Sequence, residues 1–437
     1  MLENNPSPEV VVIERIAPGG SGLGRLSNGE VIFVDGMAPG DEVEIARVTR
    51  RKGTAQGEIS RILRSGPTRI EPSCPLALRC GGCDLMHLSL EGQKQAKLGI
   101  LTDALRRVGG DPPRPSTIGF VMLGDGFGYR SRIRLHVDST GSVGFLSTAS
   151  KELVAVNRCL VAEPGLNRAL SHFAALTDNE RRMLAHCDQI ELRVAKQDPK
   201  LLARLLPRPK ANLCAQKLGH LFPPQTQIVI SGSHEEGRAE QRYEVTGDVE
   251  LMAPATAFTQ VHREVNSELV RAVVSAATLR TLASFVDAYA GAGNFTLPLL
   301  AAGLVGEAID IAASGILAAR SVARDRGLPF NGFQVGDAKD FLESLARADR
   351  QFDLVLLDPP RAGARALLSA ALRLRPQLIV LVACDPVSLA RDLKTLVSAG
   401  GRIDEITVFD MFPQTHHTET LAVVELPGRG RGMESRH

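Results

Sequence analysis

An uninterrupted apolar run, Leu378–Ala383, constrains the fold of this chain more than any other feature. Six consecutive apolar residues predict a strand that is buried on both faces, as in the parallel sheets of α/β domains. Cys384 follows directly, and ligands of open α/β sheets lie beyond the carboxyl ends of the strands. The thiol therefore occupies a nucleophile's position, although free cysteine is also among the most buried residue types.

A second apolar run, Leu354–Leu357, is followed by Asp358 and Arg361, and Glu419 lies further along the same domain. A thiol near its reference pKa of about 8.5 is only slightly ionised at neutral pH, so a nucleophilic cysteine needs a positive or hydrogen-bonding neighbour. Arg361 is the candidate for that neighbour. Two histidines, His416 and His417, are equally compatible with a structural role.

Length and composition limit the class of protein. A chain of 437 residues predicts two or three domains. A net charge of +2 neither favours nor excludes a nucleic-acid partner. Seven cysteines and the lack of a leader-like N-terminus favour a reducing, cytoplasmic setting. No apolar run approaches the roughly 18 residues that span a bilayer, so we expect a soluble protein without a membrane partner.

Residues 10–63 contain short β-branched runs between glycine turns, which predicts a small β-barrel of about five strands. The end of this region and the residues after it form a basic stripe opposed by one acid, Glu58. Such a stripe suits a phosphate backbone, but basic runs are more often merely solvated. Its members are Arg47, Arg50, Arg51, Lys52, Arg61, Arg64 and Arg69.

The middle of the chain has fewer clear signals. A helix is predicted over residues 90–108, and strict alternation after Tyr129 places Arg130, Arg132 and Arg134 on one strand face. That face is either an anion-binding wall or a solvated strand. Residues 165–250 show no clear periodicity, and we expect the last ten residues, 428–437, to be a disordered tail.

From residue 258 onward the pattern is that of a doubly wound α/β sheet. Val261, Val265, Leu269 and Val273 predict an amphipathic helix that leads into alternating strands and helices. The turn from Asp287 through Gly291 and Gly293 allows close approach of a ligand, with spacing unlike that of dinucleotide folds. Acids at successive strand ends, Asp287, Asp310 and Asp337, predict a nucleoside pocket.

Cys74, Cys80 and Cys83 form a C-x5-C-x2-C pattern, and Cys159 lies further along. Four thiolates suit zinc or an iron-sulfur cluster, and spacing alone makes zinc the default. A fourth cysteine would close the open iron that radical chemistry requires. The other two cysteines, Cys187 and Cys214, are interpreted as incidental thiols.

These motifs together resemble those of the RNA uracil-5-methyltransferases, specifically the iron-sulfur-containing members that act on 23S ribosomal RNA. The similarity spans nearly the whole chain and includes a TRAM-like barrel, with Gly19–Gly24 and Val34–Asp41, and Phe258-Thr259-Gln260 at the entry to the methyltransferase domain. It implies Cys384 as nucleophile and Glu419 as base. It also implies a [4Fe-4S] cluster on Cys74, Cys80, Cys83 and Cys159, and S-adenosylmethionine contacts from Gln260, Tyr289, Asn294, Asp310, Asp337 and Asp358.

The chain departs from the family pattern at three positions. The family usually has Asn where Asp385 stands, Glu where Asp310 stands and often Cys where Ala290 stands. Asp310 retains a carboxylate and Ala290 is a small neutral change. Asp385 adds a negative charge beside a thiol that must ionise, so we expect it to slow turnover.

The predicted architecture is an α/β, Rossmann-like methyltransferase domain behind a β-barrel and a central α+β domain. The predicted boundaries are 1–65 for the barrel, 66–255 for the central domain, with 90–115 a candidate for packing on the next domain, and 256–427 for the methyltransferase domain. The predicted partner is RNA, bound by a monomer. Alternatives are a tRNA uracil-5-methyltransferase and a catalytically weak iron-sulfur RNA-binding protein. Arg361 in place of an aromatic residue disfavours amino-group methylation.

Overall fold

The computed structural model describes residues 9–51, 53–148, 150–194, 201–233, 236, 240–246 and 249–427. The chain divides into two compact units. One comprises residues 1–103, 145–154 and 412–417, and the other comprises 104–144, 155–411 and 418–437. The three-domain boundaries from the sequence stay a prediction. The predicted tail, 428–437, lies outside the described residues, as does Lys52.

The first unit contains a closed five-stranded barrel, as predicted. Its order is β1-β2-β3-β5-β4. Alternation along the first strand explains the core, because Val11 and Ile13 are buried while Val10 and Val12 are about half exposed. The strands are β1 (Glu9–Ile16), β2 (Gly22–Arg25), β3 (Val31–Val34), β4 (Glu42–Arg51) and β5 (Thr54–Arg64).

Acids within the barrel neutralise much of the basic stripe. Arg50 pairs with Glu30 at 2.7 Å, and Arg61 pairs with Glu44 at 3.3 Å. Arg69 contacts the fully buried Asp41 at 2.5 Å and therefore acts within the structure of the barrel. A further pair joins Arg64 to Glu42. The stripe is thus less cationic than the local sequence indicates, because its partners come from other strands.

After the barrel the chain forms the cysteine-bearing turn and then a helix, α1 (Leu90–Arg107), which confirms the predicted helix. Within the first unit, Gln93 of this helix exchanges two hydrogen bonds with Gln414, of 2.8 and 3.0 Å. His416 contacts Asp84, which follows Cys83, through its backbone N–H at 2.8 Å. The segment 412–417 is therefore held by residues of the same unit.

The described residues of the region without clear periodicity, 165–250, include helices and strands. Strand β10 of this region is buried over most of its length, including Glu191 and Arg193, so it shows neither alternation nor a purely apolar run. The sheet here has the order β12-β11-β10-β7-β8-β9. In chain order, the elements are β6 (Gly119–Val121), β7 (Arg132–Val137), β8 (Val143–Leu146), β9 (Leu153–Ala155), α2 (Pro164–Ala175), α3 (Asp178–Leu184), β10 (Cys187–Val194), β11 (Leu201–Pro207), α4 (Ala215–Leu218) and β12 (Gln227–Ile230), followed by the hairpin β13 (Glu240–Thr246) and β14 (Val249–Pro254).

The remaining elements build an eight-stranded α/β sheet in the second unit, as the alternating pattern predicts. Helix α5 (Arg263–Thr278) buries Val265, Leu269 and Val273 of the predicted amphipathic face, whereas Val261, the fourth predicted residue, is buried just before the helix begins. The elements are α5 (Arg263–Thr278), β15 (Ser284–Ala288), α6 (Thr296–Ala301), β16 (Val305–Asp310), α7 (Ala313–Asp325), β17 (Gly332–Val335), α8 (Ala338–Arg347), β18 (Leu354–Leu357), α9 (Arg365–Arg373), β19 (Leu378–Ala383), α10 (Pro386–Ser398), β20 (Arg402–Phe409) and β21 (Glu419–Glu425).

The strand order of this sheet creates a crevice for ligands. The order is β17-β16-β15-β18-β19-β21-β20-β6, with parallel pairing from β17 to β19 and β21 antiparallel to β19. The chain moves outward from β15 to β17 and then returns to the other side at β18, so the order reverses between β15 and β18. Ligands of doubly wound sheets bind at such a reversal.

One element of this sheet was not predicted. Strand β6 pairs in parallel with β20 at the edge of the sheet, far from it in sequence. A three-residue strand carries too little periodicity to be recognised. None of the helices in the described part of the chain is both long and apolar enough to cross a membrane.

Candidate active site

The predicted site residues of the methyltransferase domain lie mainly where parallel strands end. Asp310 is the last residue of β16, and Asp358 and Cys384 directly follow β18 and β19. Asp337 follows β17 and caps helix α8. Because these strands are neighbours and parallel, their carboxyl ends open on the same edge of the sheet.

The glycine turn after β15 has the geometry of a ligand-binding loop. The backbone N–H groups of Tyr289 and Ala290 both donate to the Ile309 carbonyl at 3.0 Å. Tyr289 has a φ of 76°, which is unusual for a bulky residue and shows that the loop is tightly constrained. A Cβ on Gly291 would meet open space, whereas one on Gly293 would approach Leu297 to 2.9 Å. Open space over Gly291 leaves room for a ligand on that side of the loop.

Two of the predicted cofactor-binding acids also order the loops that carry them. Asp310 accepts from the Gly291 N–H at 2.9 Å and from the Ala312 N–H at 2.7 Å. Asp337 accepts from the Lys339 and Asp340 N–H groups, at 2.9 and 3.1 Å, through the single oxygen Oδ1. The second oxygen of Asp337 can therefore accept from a ligand without uncapping the helix.

Two predicted amide ligands differ in their contacts. Asn294 exchanges two hydrogen bonds with Asn266, of 2.9 and 3.0 Å, a partner that the sequence did not reveal. By contrast, Oε1 of Gln260 is buried and has no hydrogen-bond partner among the residues described. A buried acceptor without a donor is costly, and a donor from a bound ligand would satisfy it.

Asp287 is a functional candidate outside the set of cofactor-binding residues that the family resemblance implies. It is fully buried in β15, and Thr296 donates to its Oδ2 at 2.5 Å. Its Oδ1 is buried without a partner in the described structure. Burial, with a contribution from Asp310, raises the pKa of Asp287 to about 7. A residue inside a buried strand gives no sequence signal of such a shift.

Burial raises the pKa of the Cys384 thiol to about 11, and the carboxyl groups of Glu419 and Asp358 contribute to the rise. The guanidinium of Arg361 opposes it, as expected of the positive neighbour proposed from the sequence. With its pKa raised in this way, the sulfur of Cys384 is a protonated thiol at neutral pH. Reaction at Cys384 therefore requires weaker repulsion from the two carboxyl groups or stronger positive charge nearby.

Glu419 is buried at the start of β21, and its burial together with the charge of Asp358 raises its pKa well above the ordinary range. Burial and the charges of Asp287 and Asp310 raise the pKa of Asp358 to about 8. Carboxyl groups crowded in a poorly solvated site cannot all ionise. The crevice is thus suited to a cation, which would allow these groups to lose their protons.

Asp385 has a structural function next to the nucleophile candidate. Its carboxylate accepts from the Ser388 N–H at 2.7 Å and caps helix α10. A negative charge at a helix N-terminus is stabilised by the unpaired N–H groups and the helix dipole. The carboxyl groups that contribute to the raised pKa of Cys384 are those of Glu419 and Asp358, and the effect of Asp385 on turnover stays a prediction.

The four predicted cluster ligands lie in loops of different units. Cys74, Cys80 and Cys83 belong to the first unit and Cys159 to the second. Asn167 fixes the backbone of Cys159 with hydrogen bonds of 2.8 and 3.0 Å. Over the described ranges, no group of three or more His, Cys, Asp or Glu side chains is arranged to hold a metal ion. Four thiols suit an iron-sulfur cluster chemically.

The predicted arginine wall is only partly formed. Arg130 precedes β7, and the carboxylate of Glu191 lies 3.9 Å from Arg132 and 3.4 Å from Arg134. Glu191 is buried and also pairs with Arg193 at 2.5 Å. The guanidinium of Arg132 stacks over Phe258, 4.9 Å from the ring centroid. Sequence alternation placed Arg132 and Arg134 correctly on β7, but Arg130 lies before the strand, and the alternation did not reveal the acid that Arg132 and Arg134 share.

A doubly wound sheet with a glycine turn and acids at its strand ends is typical of domains that bind a nucleoside-containing cofactor, and the chain also contains a small barrel. Two family models match the chain. One, described as tRNA (Uracil-5-)-methyltransferase, matches residues 337–425, and the other, the TRAM domain, matches residues 10–59.

Relatives match over nearly the full length. The chain is 33% identical to the 23S rRNA (uracil(1939)-C(5))-methyltransferase RlmD of Nitrosococcus oceani over 438 residues, 96% of each chain. It is 31% identical to RlmD of Edwardsiella ictaluri over 420 residues, 93% of each. The chain belongs to the RNA uracil-5-methyltransferase family and is an S-adenosylmethionine-dependent enzyme with a TRAM domain.

A solved structure supports the fold. Pyrococcus abyssi tRNA (uracil-54, C5)-methyltransferase in complex with S-adenosyl-L-homocysteine is similar, with a TM-score of 0.72 and 24% identity. The similarity covers 94% of this chain and 99% of that one.

Proposed function

We propose that this enzyme methylates carbon 5 of a specific uridine in 23S ribosomal RNA through a covalent adduct with Cys384. The observation that supports the mechanism is that Cys384 directly follows β19 and Glu419 begins the neighbouring antiparallel strand β21, where its carboxyl group contributes to the raised pKa of the Cys384 thiol. The names of the full-length relatives support ribosomal RNA and point to the uridine equivalent to position 1939.

Carbon 5 of uracil is a weak nucleophile, and addition at carbon 6 solves this problem. The Cys384 thiolate forms an Sγ–C6 bond while the C5–C6 π electrons move toward O4, which makes carbon 5 reactive. When bound, S-adenosylmethionine would supply an electrophilic methyl group, which bonds to carbon 5 as its bond to the donor's sulfur breaks and leaves S-adenosylhomocysteine. Glu419 then removes the carbon 5 proton, the C5–C6 double bond re-forms and the Sγ–C6 bond breaks, which releases Cys384. The target base must leave its stack to reach these groups.

The residues of the crevice fit the methyl donor. Gln260 has a buried acceptor without a donor among the described residues, Gly291 leaves free space beside the loop, and Asp310 and Asp337 are acids that suit ribose or amino groups. Tyr289, Asn294 and Asp358 complete the proposed set. Asp287 adds a buried carboxyl group that favours a cation nearby.

The substrate is tested by mapping 5-methyluridine in ribosomal and transfer RNA from cells with and without the protein. Loss confined to one 23S position supports the proposal. Loss confined to tRNA would support the runner-up, a tRNA uracil-5-methyltransferase, which the name of the matching family model and the similar solved structure favour. Unchanged methylation in both RNAs would support a catalytically weak RNA-binding protein.

We expect the affinity for S-adenosylmethionine to increase with pH between about 6 and about 9. Asp287 and Asp358 have pKa values of about 7 and about 8 in the free enzyme, so both bind protons at lower pH. A cationic ligand favours their ionised forms and therefore binds with release of protons. The gain should reach roughly tenfold and level off above the higher pKa.

Titration calorimetry in two buffers of different ionisation enthalpy measures both the affinity and the released protons. S-adenosylhomocysteine is the matched control because it has the same amino-acid end but no sulfonium charge. Its affinity should depend less on pH. Equal pH profiles for the two ligands would show that the ionisation of Asp287 and Asp358 is not coupled to the positive charge of the donor.

We also propose a [4Fe-4S] cluster on Cys74, Cys80, Cys83 and Cys159. The thiolate ligand set and the similarity to the iron-sulfur members of the family support it. Anaerobically purified protein should contain about four iron and four sulfide per chain. Cys159→Ser should lose most of both, while Cys214→Ser, a change of another partly exposed cysteine, should retain them. One zinc per chain without sulfide would replace the proposal with the zinc alternative.

A further inference from the structure

The turn that carries Arg361 is attached to helix α10 by one buried carboxylate. Asp392 lies on α10, is 3% exposed, and accepts from the Ala364 N–H through Oδ2 at 2.7 Å. Ala364 is itself buried and directly precedes α9. Helix α10 begins two residues after Cys384. Helix α10 is therefore adjacent in sequence to the Cys384 thiol and hydrogen-bonded to the turn that carries Arg361.

The packing between this turn and α10 leaves no free space. The Gly363 N–H donates to the Pro360 carbonyl at 2.9 Å, which closes the turn. Gly363 has a φ of 82°, and a Cβ there would lie 2.8 Å from Oδ2 of Asp392 and 2.8 Å from Cβ of Ser388. The turn thus depends on both the carboxylate and the absence of a side chain at residue 363.

The buried carboxylate of Asp392 is energetically unfavourable by itself. Burial raises its pKa, while the Ala364 N–H and the charges of Arg391 and Arg365 lower it. A buried charge is tolerated when hydrogen bonds and opposite charges compensate for lost hydration. Here the backbone N–H that provides compensation belongs to the turn, so ionised Asp392 and the ordered turn stabilise each other.

We propose that Asp392 is a positioning residue that holds the 360–364 turn against α10 and thereby keeps the Arg361 guanidinium near the Cys384 thiol. The charged groups that act on this thiol come from three elements: Glu419 from β21, Asp358 from the end of β18 and Arg361 from the turn. Release of the turn removes the attractive contribution and leaves both carboxyl groups. The thiolate fraction at a given pH then falls.

This inference depends on the proposed function only for the role of Cys384 as the nucleophile. Its test requires neither RNA nor methyl transfer. The experiment follows alkylation of Cys384 by iodoacetamide in the full chain across pH, with mass spectrometry of the peptide that contains it. Because thiolate is the reactive form, the rate reports the ionised fraction. At about pH 8, Asp392→Ala should slow alkylation roughly threefold to tenfold.

Two further variants separate positioning from general damage. Asp392→Asn retains an acceptor for the Ala364 N–H and should remain close to the wild type. Gly363→Ala displaces the same turn without changing any charge and should slow alkylation as Asp392→Ala does. If Asp392→Ala does not fold, Gly363→Ala still tests the proposal.

A matched control, Asp353, lies at the other end of the parallel strands, directly before β18. Asp353 also joins two segments through backbone N–H groups, those of Ala283 and Ser284, both at 3.1 Å. Asp353→Ala should lower stability without slowing alkylation of Cys384. If Asp353→Ala and Asp392→Ala slow the reaction equally, the effect is global and the proposal fails.

A double-mutant cycle tests the route through Arg361. Arg361→Ala should slow alkylation about as much as Asp392→Ala, and the double variant should be no slower. Additive effects, or an unchanged rate in folded Asp392→Ala and Gly363→Ala proteins, would overturn the inference. Failure of the proposed function is a separate result, because it would appear as full methylation by an enzyme without the Cys384 thiol.

Discussion

Cys384→Ala is expected to abolish methylation of the target uridine, with a rate at least roughly 10⁴-fold below that of the wild type. Alanine has no electron pair to add to carbon 6, so carbon 5 stays unactivated while RNA and donor still bind. The substitution is small, and Cys384 is only partly buried, so we expect little change in stability. The measurement is single-turnover transfer of a labelled methyl group to the RNA.

Cys214→Ala is the matched control, because Cys214 is also a partly exposed cysteine but lies beside α4, outside the site. It should retain wild-type turnover. Full turnover by Cys384→Ala would refute covalent activation by this thiol. A similar loss in both variants would indicate a general effect of removing cysteine.

Glu419→Gln is expected to accumulate a covalent RNA–protein complex while releasing almost no product. Glutamine matches the shape of the side chain but cannot accept the carbon 5 proton, so the reaction stops after methyl transfer. The charge of Glu419 contributes to the raised pKa of Cys384, so its removal favours the thiolate and does not hinder attack. Denaturing electrophoresis and mass spectrometry measure the complex and its methyl group.

Glu425→Gln provides the same change at the far end of the same strand, β21. Glu425 pairs with Arg280 and Arg402 at the surface, where such pairs contribute little to stability. This variant should turn over normally and form no lasting complex. Normal product release by Glu419→Gln would show that another group removes the proton.

The sequence predicted the elements whose pattern is local. Continuous apolar runs located β18 and β19, and therefore the positions of Asp358 and Cys384 at their ends. The spacing of apolar residues within α5 correctly predicted which face of that helix is buried. Short β-branched runs between glycines indicated the five strands of the barrel.

Features that depend on distant residues were not predictable. Strand β6 has three residues and is recognisable only beside β20. The acid that pairs with Arg132 and Arg134 lies on β10, more than fifty residues away. Asp392 reads as an ordinary helical acid until the fold places it against Ala364. The shifted pKa values of Asp287 and Asp358 likewise arise from burial, which one sequence does not specify.

The central claim is a transient bond between Cys384 and the uracil ring. It is tested most directly with an RNA that carries 5-fluorouridine at the target position, because carbon 5 then has no proton to lose. In the presence of S-adenosylmethionine, peptide mass spectrometry should find the methylated fluorouridine attached to Cys384, and a crystal structure of the complex should show Sγ bonded to C6. An RNA that binds with the donor yet carries no linkage at Cys384 would contradict the account.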